Sequence, residues 1–424
     1  MLAVRASAAR SASRLTRNFA TVVDAAGVKV AAVDNGEPTS SVTFLFKAGS
    51  RFENKPGVAH ALQNFAYKST TKRSALATVR EAELYGGVLS SSLSREYLAL
   101  TAEFLRGDEP YFVDVLSSFV TDAKFTRHEL QEYVAPVCAA ESTVAASNPA
   151  TRALELAHAI AFRNGLGASI FASEHSHVDV ETIKAYASSV FGKSNLAVIG
   201  TGISQDALTK LLEKSLGSLS ANAAPPSSPT SYFGGETRVD AHSGPQTVFI
   251  GFGTTGAPSA ELAVLAAHLS PQPSVKWSEG LSPIAASIPK GASVQAIYLP
   301  YSDASLFGLL VQGATAEEVK IAGKAAVSAL KEVGNIKAED VKKAVAKAKF
   351  SAASTLDGRS SLASVLGSKL LSGPSASVEG IISSIEKVDA SALSSAVSSL
   401  IKAKPTYVTV GDIKSLPYAD ELGL

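Results

Sequence analysis

The chain has 424 residues, 46% of them hydrophobic and 18% charged, with a formal net charge of +1. That length exceeds what one ordinary core needs, so two or more domains are expected, and the composition excludes a disordered chain. No run of about 18 apolar residues occurs and no dense Lys/Arg cluster lies in the body of the chain, which argues against a membrane span and a nucleic-acid partner. The single cysteine, Cys138, leaves no intrachain disulfide and no cysteine-based zinc or iron–sulfur site.

MLAVRASAARSASRLTRNFA carries Arg5, Arg10, Arg14 and Arg17 and no acid before Asp24. An arginine-rich, serine-rich, acid-free segment has the composition of a mitochondrial transit peptide, assigned here to residues 1–19. Losing four arginines would take the charge from +1 to −3. SSVTFLFKAGSR (40–51) alternates and predicts a strand. VAHALQNFAYKS repeats its apolar residues at helical spacing after Pro56 and Gly57. VLSSSLSREYLALTAEFL (88–105) predicts two strands around a turn near Ser94–Arg95, and PYFVDVLSSFVTDAKF (110–125) returns to helical spacing. Hairpins with interspersed helices predict an α+β fold, mostly antiparallel sheet with helices packed on one side.

An internal repeat follows. KSNLAVIGTGIS (193–204) and KPTYVTVGDIKS (404–415) each end a short apolar run at a glycine, Gly200 and Gly411, 211 positions apart. Helical patterns at 128–154 and 339–362 lead into the A-x-S-T elements Ala140–Thr143 and Ala352–Thr355 at nearly the same offset. Two elements in one order at one offset predict a duplicated domain. SLGSLSANAAPPSSPTSYFGGETR, with Pro225, Pro226 and Pro229, reads as the joint. The expected division is 20–218 for the first domain, 219–235 for the linker and 236–424 for the second.

GVAHALQNFAYKST (57–70) carries the chemistry. With Glu at 63 and His at 64 it would read H-x-x-E-H, in which two histidines at i and i+4 share a helix face and grip zinc beside a glutamate base. The chain keeps His60 but has Gln63 and Asn64. An amide is no general base near neutral pH, and an amide oxygen is a poor zinc donor beside imidazole. For His60 alone the simpler reading is a hydrogen-bonded structural histidine. Glu174-His175-Ser176-His177 sits in a polar loop without a distant partner, so it reads as loop. Cys138 reads as a buried structural thiol. GFGTTGAPS (251–259) lacks the lysine of a phosphate loop and reads as a turn after QTVFIGF.

The position of GVAHALQNFAYKST, with LYGGVLSSSLSREYLALTAEFL, SVKWSEG (274–280), YFGGETR, YSDASLFG (301–308) and LPYADEL (416–422), resembles the inverted-zinc-motif peptidase family. That family includes the mitochondrial processing peptidase and the core proteins of respiratory complex III, and the likeness spans nearly the whole chain after the leader. It implies two homologous α/β sandwich domains of processing-peptidase type. It implies that His60 and Glu141 stand where two of the three zinc ligands do, that Asn64 replaces the third and Gln63 the base. Val134 stands where active members carry a further glutamate. Pro136 is expected to bend the helix that carries Glu141. The glycine-rich loop with which the processing peptidase handles presequences has no counterpart in SPQPSVKWSEGLSPIAAS (270–287).

The resemblance therefore implies a non-catalytic core subunit of the bc1 complex, without catalytic residues, metal or redox cofactor of its own. It would lie on the matrix side of the mitochondrial inner membrane and pair with core protein 1, in a dimeric complex with cytochrome b, cytochrome c1 and the Rieske protein. The alternatives are a processing-peptidase subunit, a zinc metalloendopeptidase that cleaves presequences, and a free-standing presequence-binding protein.

Overall fold

The computed structural model describes residues 21–25, 27–173, 176–222, 228–272, 282–372 and 378–424. The leader, Glu174-His175, the prolines Pro225 and Pro226, and SVKWSEG lie outside the described residues.

Two sheets share one five-strand topology, to which the first adds an edge strand. The first contains β1 (Thr21–Ala25), β2 (Val28–Val33), β3 (Thr39–Phe46), β4 (Val88–Leu93), β5 (Leu98–Leu105) and β6 (Leu196–Thr201), in the order β1-β2-β6-β3-β5-β4. The second contains β7 (Gly235–Asp240), β8 (Gln246–Thr255), β9 (Ala292–Pro300), β10 (Ala304–Gly313) and β11 (Thr406–Gly411), in the order β7-β11-β8-β10-β9. In each sheet one pair is parallel, β2 with β6 and β7 with β11, and every other pairing is antiparallel. Strands β6 and β11 are the two segments that the sequence repeat matched. The glycine-containing stretch after QTVFIGF is not wholly a turn, because β8 runs on to Thr255.

The central strands are buried on both faces, so their pattern is continuous rather than alternating. Val42, Phe44 and Phe46 of β3 point into a core shared with the helices of their own half. Leu45 points the other way, with Ala31, Ala99, Ala197 and Ile199. That second face is covered by a helix from the far end of the chain. In chain order, the helices at the site and on the sheet faces include α1 (Val58–Asn64), α2 (Ala135–Ser147), α3 (Pro149–Phe162), α4 (Ala260–Leu269), α5 (Ala338–Asp357) and α6 (Arg359–Ser372). Ala363, Leu366, Leu370 and Leu371 of α6 pack on the first sheet. Reciprocally, Ala153, Ala157, Ala161 and Phe162 of α3 pack on Phe249, Leu306, Leu310, Val408 and Val410 of the second.

Each sheet thus carries its own helices on one side, as expected, and one exchanged helix on the other. Burying each large side chain of these contacts contributes about 2 kcal/mol. Gly367 sets how closely α6 sits, because a Cβ there would come within 2.5 Å of Leu45 Cδ2 and 2.8 Å of Ile199 Cδ1. Asn148 caps α3 by accepting from the amides of Ala150 and Thr151, and Pro149 opens the first turn.

Candidate functional site

Helix α1 starts abruptly. Gly57 precedes it at φ 85°, a left-handed conformation that costs glycine little. Its first amides are satisfied from outside the helix: Glu53 Oε2 accepts from Gly57 N at 3.1 Å and Ala59 N at 3.4 Å. Burial pushes the Glu53 carboxyl up to about 7, against the downward pull of those two donors.

His60 is buried, at 3% exposure. Its Nε2 lies 2.7 Å from Glu141 Oε2 on α2, and its Nδ1 lies 3.1 Å from the backbone nitrogen of Ala172. The second contact decides the tautomer. A backbone N–H can only donate, so Nδ1 holds a lone pair and Nε2 carries the hydrogen that Glu141 accepts. Asn64 Nδ2 donates to the same carboxylate oxygen at 2.9 Å and to the His60 carbonyl at 3.3 Å. Since a carboxylate only accepts, the amide must turn its NH2 group inward. Gln63 faces elsewhere, donating to the Ser91 carbonyl at 3.4 Å.

His60 and Glu141, which the resemblance brings to one site, do meet in space. Glu141 is no free surface carboxylate: it joins α2 to α1. Nor does Pro136 misplace it. A π-helical turn at Leu130–Val134, closed by Ala135 N donating to Leu130 O, absorbs the irregularity one turn before. Val134 is buried in the first core.

Zinc needs lone pairs directed at one point. This cluster instead directs two N–H groups, from His60 and Asn64, at one carboxylate oxygen, so the residues present do not fit the metal. Among the described residues no three His, Cys, Asp or Glu side chains gather in a metal-binding arrangement. Cys138 lies beside Asn64, and burial, then the Glu141 charge, push its thiol up to about 12. A thiol so far from ionising is a poor nucleophile and a poor ligand.

A second polar cluster escaped the sequence reading. The turns of the corresponding hairpins β4–β5 and β9–β10 meet where the halves join. Arg51 is buried there, with Nη1 donating to Glu96 Oε1 and to Asp303 Oδ1, each at 2.7 Å, and Nη2 donating to Asp303 Oδ2 at 2.7 Å. Ser302 donates to both oxygens of Glu96, and Thr230 to both oxygens of Asp303. Burial opposes the Asp303 charge, but the donors from Arg51 and Thr230 outweigh it and hold the carboxyl below its usual range.

Arg95 Nη2 donates to Glu155 on α3 at 2.6 Å. His158 Nδ1 donates to the Leu154 carbonyl at 2.7 Å and its Nε2 accepts from the Tyr301 hydroxyl at 2.7 Å. Burial, then the nearby Arg95 charge, depress His158 to about 3, so it stays neutral. The sequence signal was present in the SREY and YSDAS stretches, but charged residues in a hairpin turn look like ordinary solvated ones until both turns are brought together.

Duplicated sheets, exchanged helices and a rewritten H-x-x-E-H helix define a peptidase-type scaffold. Residues 29–174 match the model of the insulinase family, peptidase family M16. The chain is 46% identical to a Cryptococcus neoformans var. grubii protein named cytochrome b-c1 complex subunit 2, mitochondrial, across 99% of this chain and 98% of that one. Proteins of the same name from Yarrowia lipolytica and Homo sapiens are 38% and 28% identical, across 96% and 93% of this chain and 97% and 90% of theirs. The chain belongs to the mitochondrial cytochrome b-c1 complex subunit 2 family.

Proposed function

We propose that this chain is a structural core subunit of the mitochondrial ubiquinol–cytochrome c reductase complex and has no peptidase activity. The observation that carries the second half is the donor pattern at His60, which offers hydrogens where zinc needs lone pairs. The family relationship supports the first half. The subunit works through its surfaces, supporting assembly and stability of the complex without redox cofactors of its own. It sits peripherally on the matrix side of the inner membrane, paired with core protein 1 and beside cytochrome b, cytochrome c1 and the Rieske protein in a dimeric complex. Among the described residues no helix is long and apolar enough to cross a membrane, in keeping with a peripheral position. The leader at residues 1–19 directs import, and the two domains divide at residues 219–235.

The test is affinity purification of the tagged chain from mitochondria. Cytochrome b is expected in the eluate, and deletion of the gene is expected to lower assembled complex. Recovery of a chain that cleaves presequences, or one free of cytochrome b, would refute the proposal.

A further inference from the structure

We infer that the backbone amide of Ala172, and not only the change of residues 63 and 64, closes the His60 site to metal. Putting back Gln63→Glu and Asn64→His would leave the site unable to hold zinc until that amide is withdrawn. The inference rests on the non-catalytic reading and deepens it.

A histidine that ligates zinc through one nitrogen normally donates the hydrogen on its other nitrogen to a carboxylate or carbonyl. At His60 this outer contact is reversed. Nδ1 accepts the Ala172 N–H at 3.1 Å, which leaves the hydrogen on Nε2, the nitrogen facing Glu141. Freeing the Nε2 lone pair would move the hydrogen to Nδ1 and bring two N–H groups head to head. The amide would then lose its acceptor as well. Turning the ring over is no escape, because it would break both contacts at once.

The amide is held firmly. Ser142 on α2 donates to the Ala172 carbonyl at 2.7 Å. Behind it, a Cβ at Gly57 would lie 2.8 Å from Ala172 Cβ, so the backbone is packed directly against the start of α1. Phe171 sets its ring edge to His60 at 5.7 Å and 87°. Further along the same loop, Ile170 N donates to Glu155, and Arg95 donates to the Leu166 and Ala168 carbonyls. The loop is therefore tied to α2 at one end and to the junction between the halves at the other. None of these ties involves Gln63 or Asn64, so restoring the two side chains leaves the amide in place.

Two measurements on the full-length chain test this. The first is the tautomer of His60 in the natural protein, read from two-bond proton–nitrogen couplings of 15N-labelled histidines. The hydrogen is expected on Nε2; a hydrogen on Nδ1 overturns the inference. The second is zinc binding by equilibrium dialysis and metal analysis. The natural chain and the Gln63→Glu/Asn64→His variant are both expected to stay empty at micromolar zinc. Adding Ala172→Pro, which has no N–H to donate, is expected to tighten zinc binding by roughly tenfold or more. Stoichiometric zinc in the Gln63→Glu/Asn64→His variant, with Ala172 intact, overturns the inference while leaving the non-catalytic reading standing. Stoichiometric zinc in the natural chain overturns that reading itself. If the proline variant does not fold, the tautomer and the two-residue variant still decide the matter.

Discussion

The two halves repeat the same crossing of two helices and use it differently. In the first half α1 crosses α2, and the contact is a polar clamp of His60, Asn64 and Glu141. In the second half α4 crosses α5 at the corresponding place, and the contact is made of small apolar residues. Ala263, Ala266 and Ala267 face Ala348 and Ala352 along an open groove of about 720 Å³. Lys347 reaches across it to the Ser270 carbonyl at 2.7 Å, and burial lowers its pKa. The helix starts differ too: α1 leans on the Glu53 carboxylate, whereas Ser259 caps α4 through its hydroxyl. Identical topology therefore fixes neither the chemistry nor the packing at the crossing; a few side chains do.

The largest expected effect comes from cutting the ion pairs that join the halves. Arg51→Ala leaves Glu96 buried at the junction with no cationic partner, and Asp303 loses its two-pronged contact. Breaking a buried pair in this way costs about 3–5 kcal/mol. Urea unfolding monitored by hydrogen exchange is expected to show both halves destabilised together, because α3 and α6 are exchanged between them. Loss confined to the first half would mean that the junction does not couple them. Next in size is His60→Ala, expected to cost about 1–3 kcal/mol, since it empties a buried site and removes the acceptor of the Ala172 amide and a donor to the half-exposed Glu141. The same assay on Ala263→Gly, at the opposite crossing, is expected to give about 1 kcal/mol or less. Equal losses at the two sites would remove the distinction drawn between clamp and groove.

The repeat and the first hairpin were legible because each leaves a trace in side-chain pattern: a shared offset for β6 and β11, and a polar turn near Ser94–Arg95 between two apolar runs. The pairing of His60 with Glu141 was legible only through the family resemblance. The exchange of α3 and α6 was not legible. The buried face of α3 is mainly alanine and that of α6 mainly leucine, and either composition fits either sheet. Arg51, Glu96 and Asp303 were missed because each lies at the end of an element, where charge usually means water. The Ala172 contact leaves no side-chain signal at all, since any residue except proline supplies the same N–H. What the sequence conceals here is mainly which distant backbone meets which side chain.

The contrast in helix starts predicts a difference in pH response. The folded protein holds the Glu53 proton up to about 7, while the unfolded chain releases it near 4.5. The stability this group contributes is complete below pH 4.5 and is lost as pH rises through 7. The loss is on the order of 1–3 kcal/mol. Glu53→Gln removes the titration, so the gap in unfolding midpoint between variant and natural chain is expected to change steadily from pH 4.5 to 7. Taking the gap cancels the opposing effect of His158, common to both proteins. A constant gap across that window would show that Glu53 is ionised at the helix start after all.

The smallest effect discriminates most directly between a closed crossing and an open one. Ala61 on α1 is 4% exposed and belongs to the packed first core. Ala266 on α4 lines the groove. Enlarging each to leucine adds the same atoms to the two helices. At Ala61 they must displace neighbours in a filled interior, and such overpacking costs about 1–3 kcal/mol. At Ala266 they enter open space and cover apolar wall, so the change is expected within about 1 kcal/mol of zero, with stabilisation the more natural sign. Thermal unfolding of the two single variants and the double variant gives the answer. The sites lie in separate cores, so the effects should add. A penalty at Ala266 matching that at Ala61 would mean that the groove is filled in the folded chain in solution.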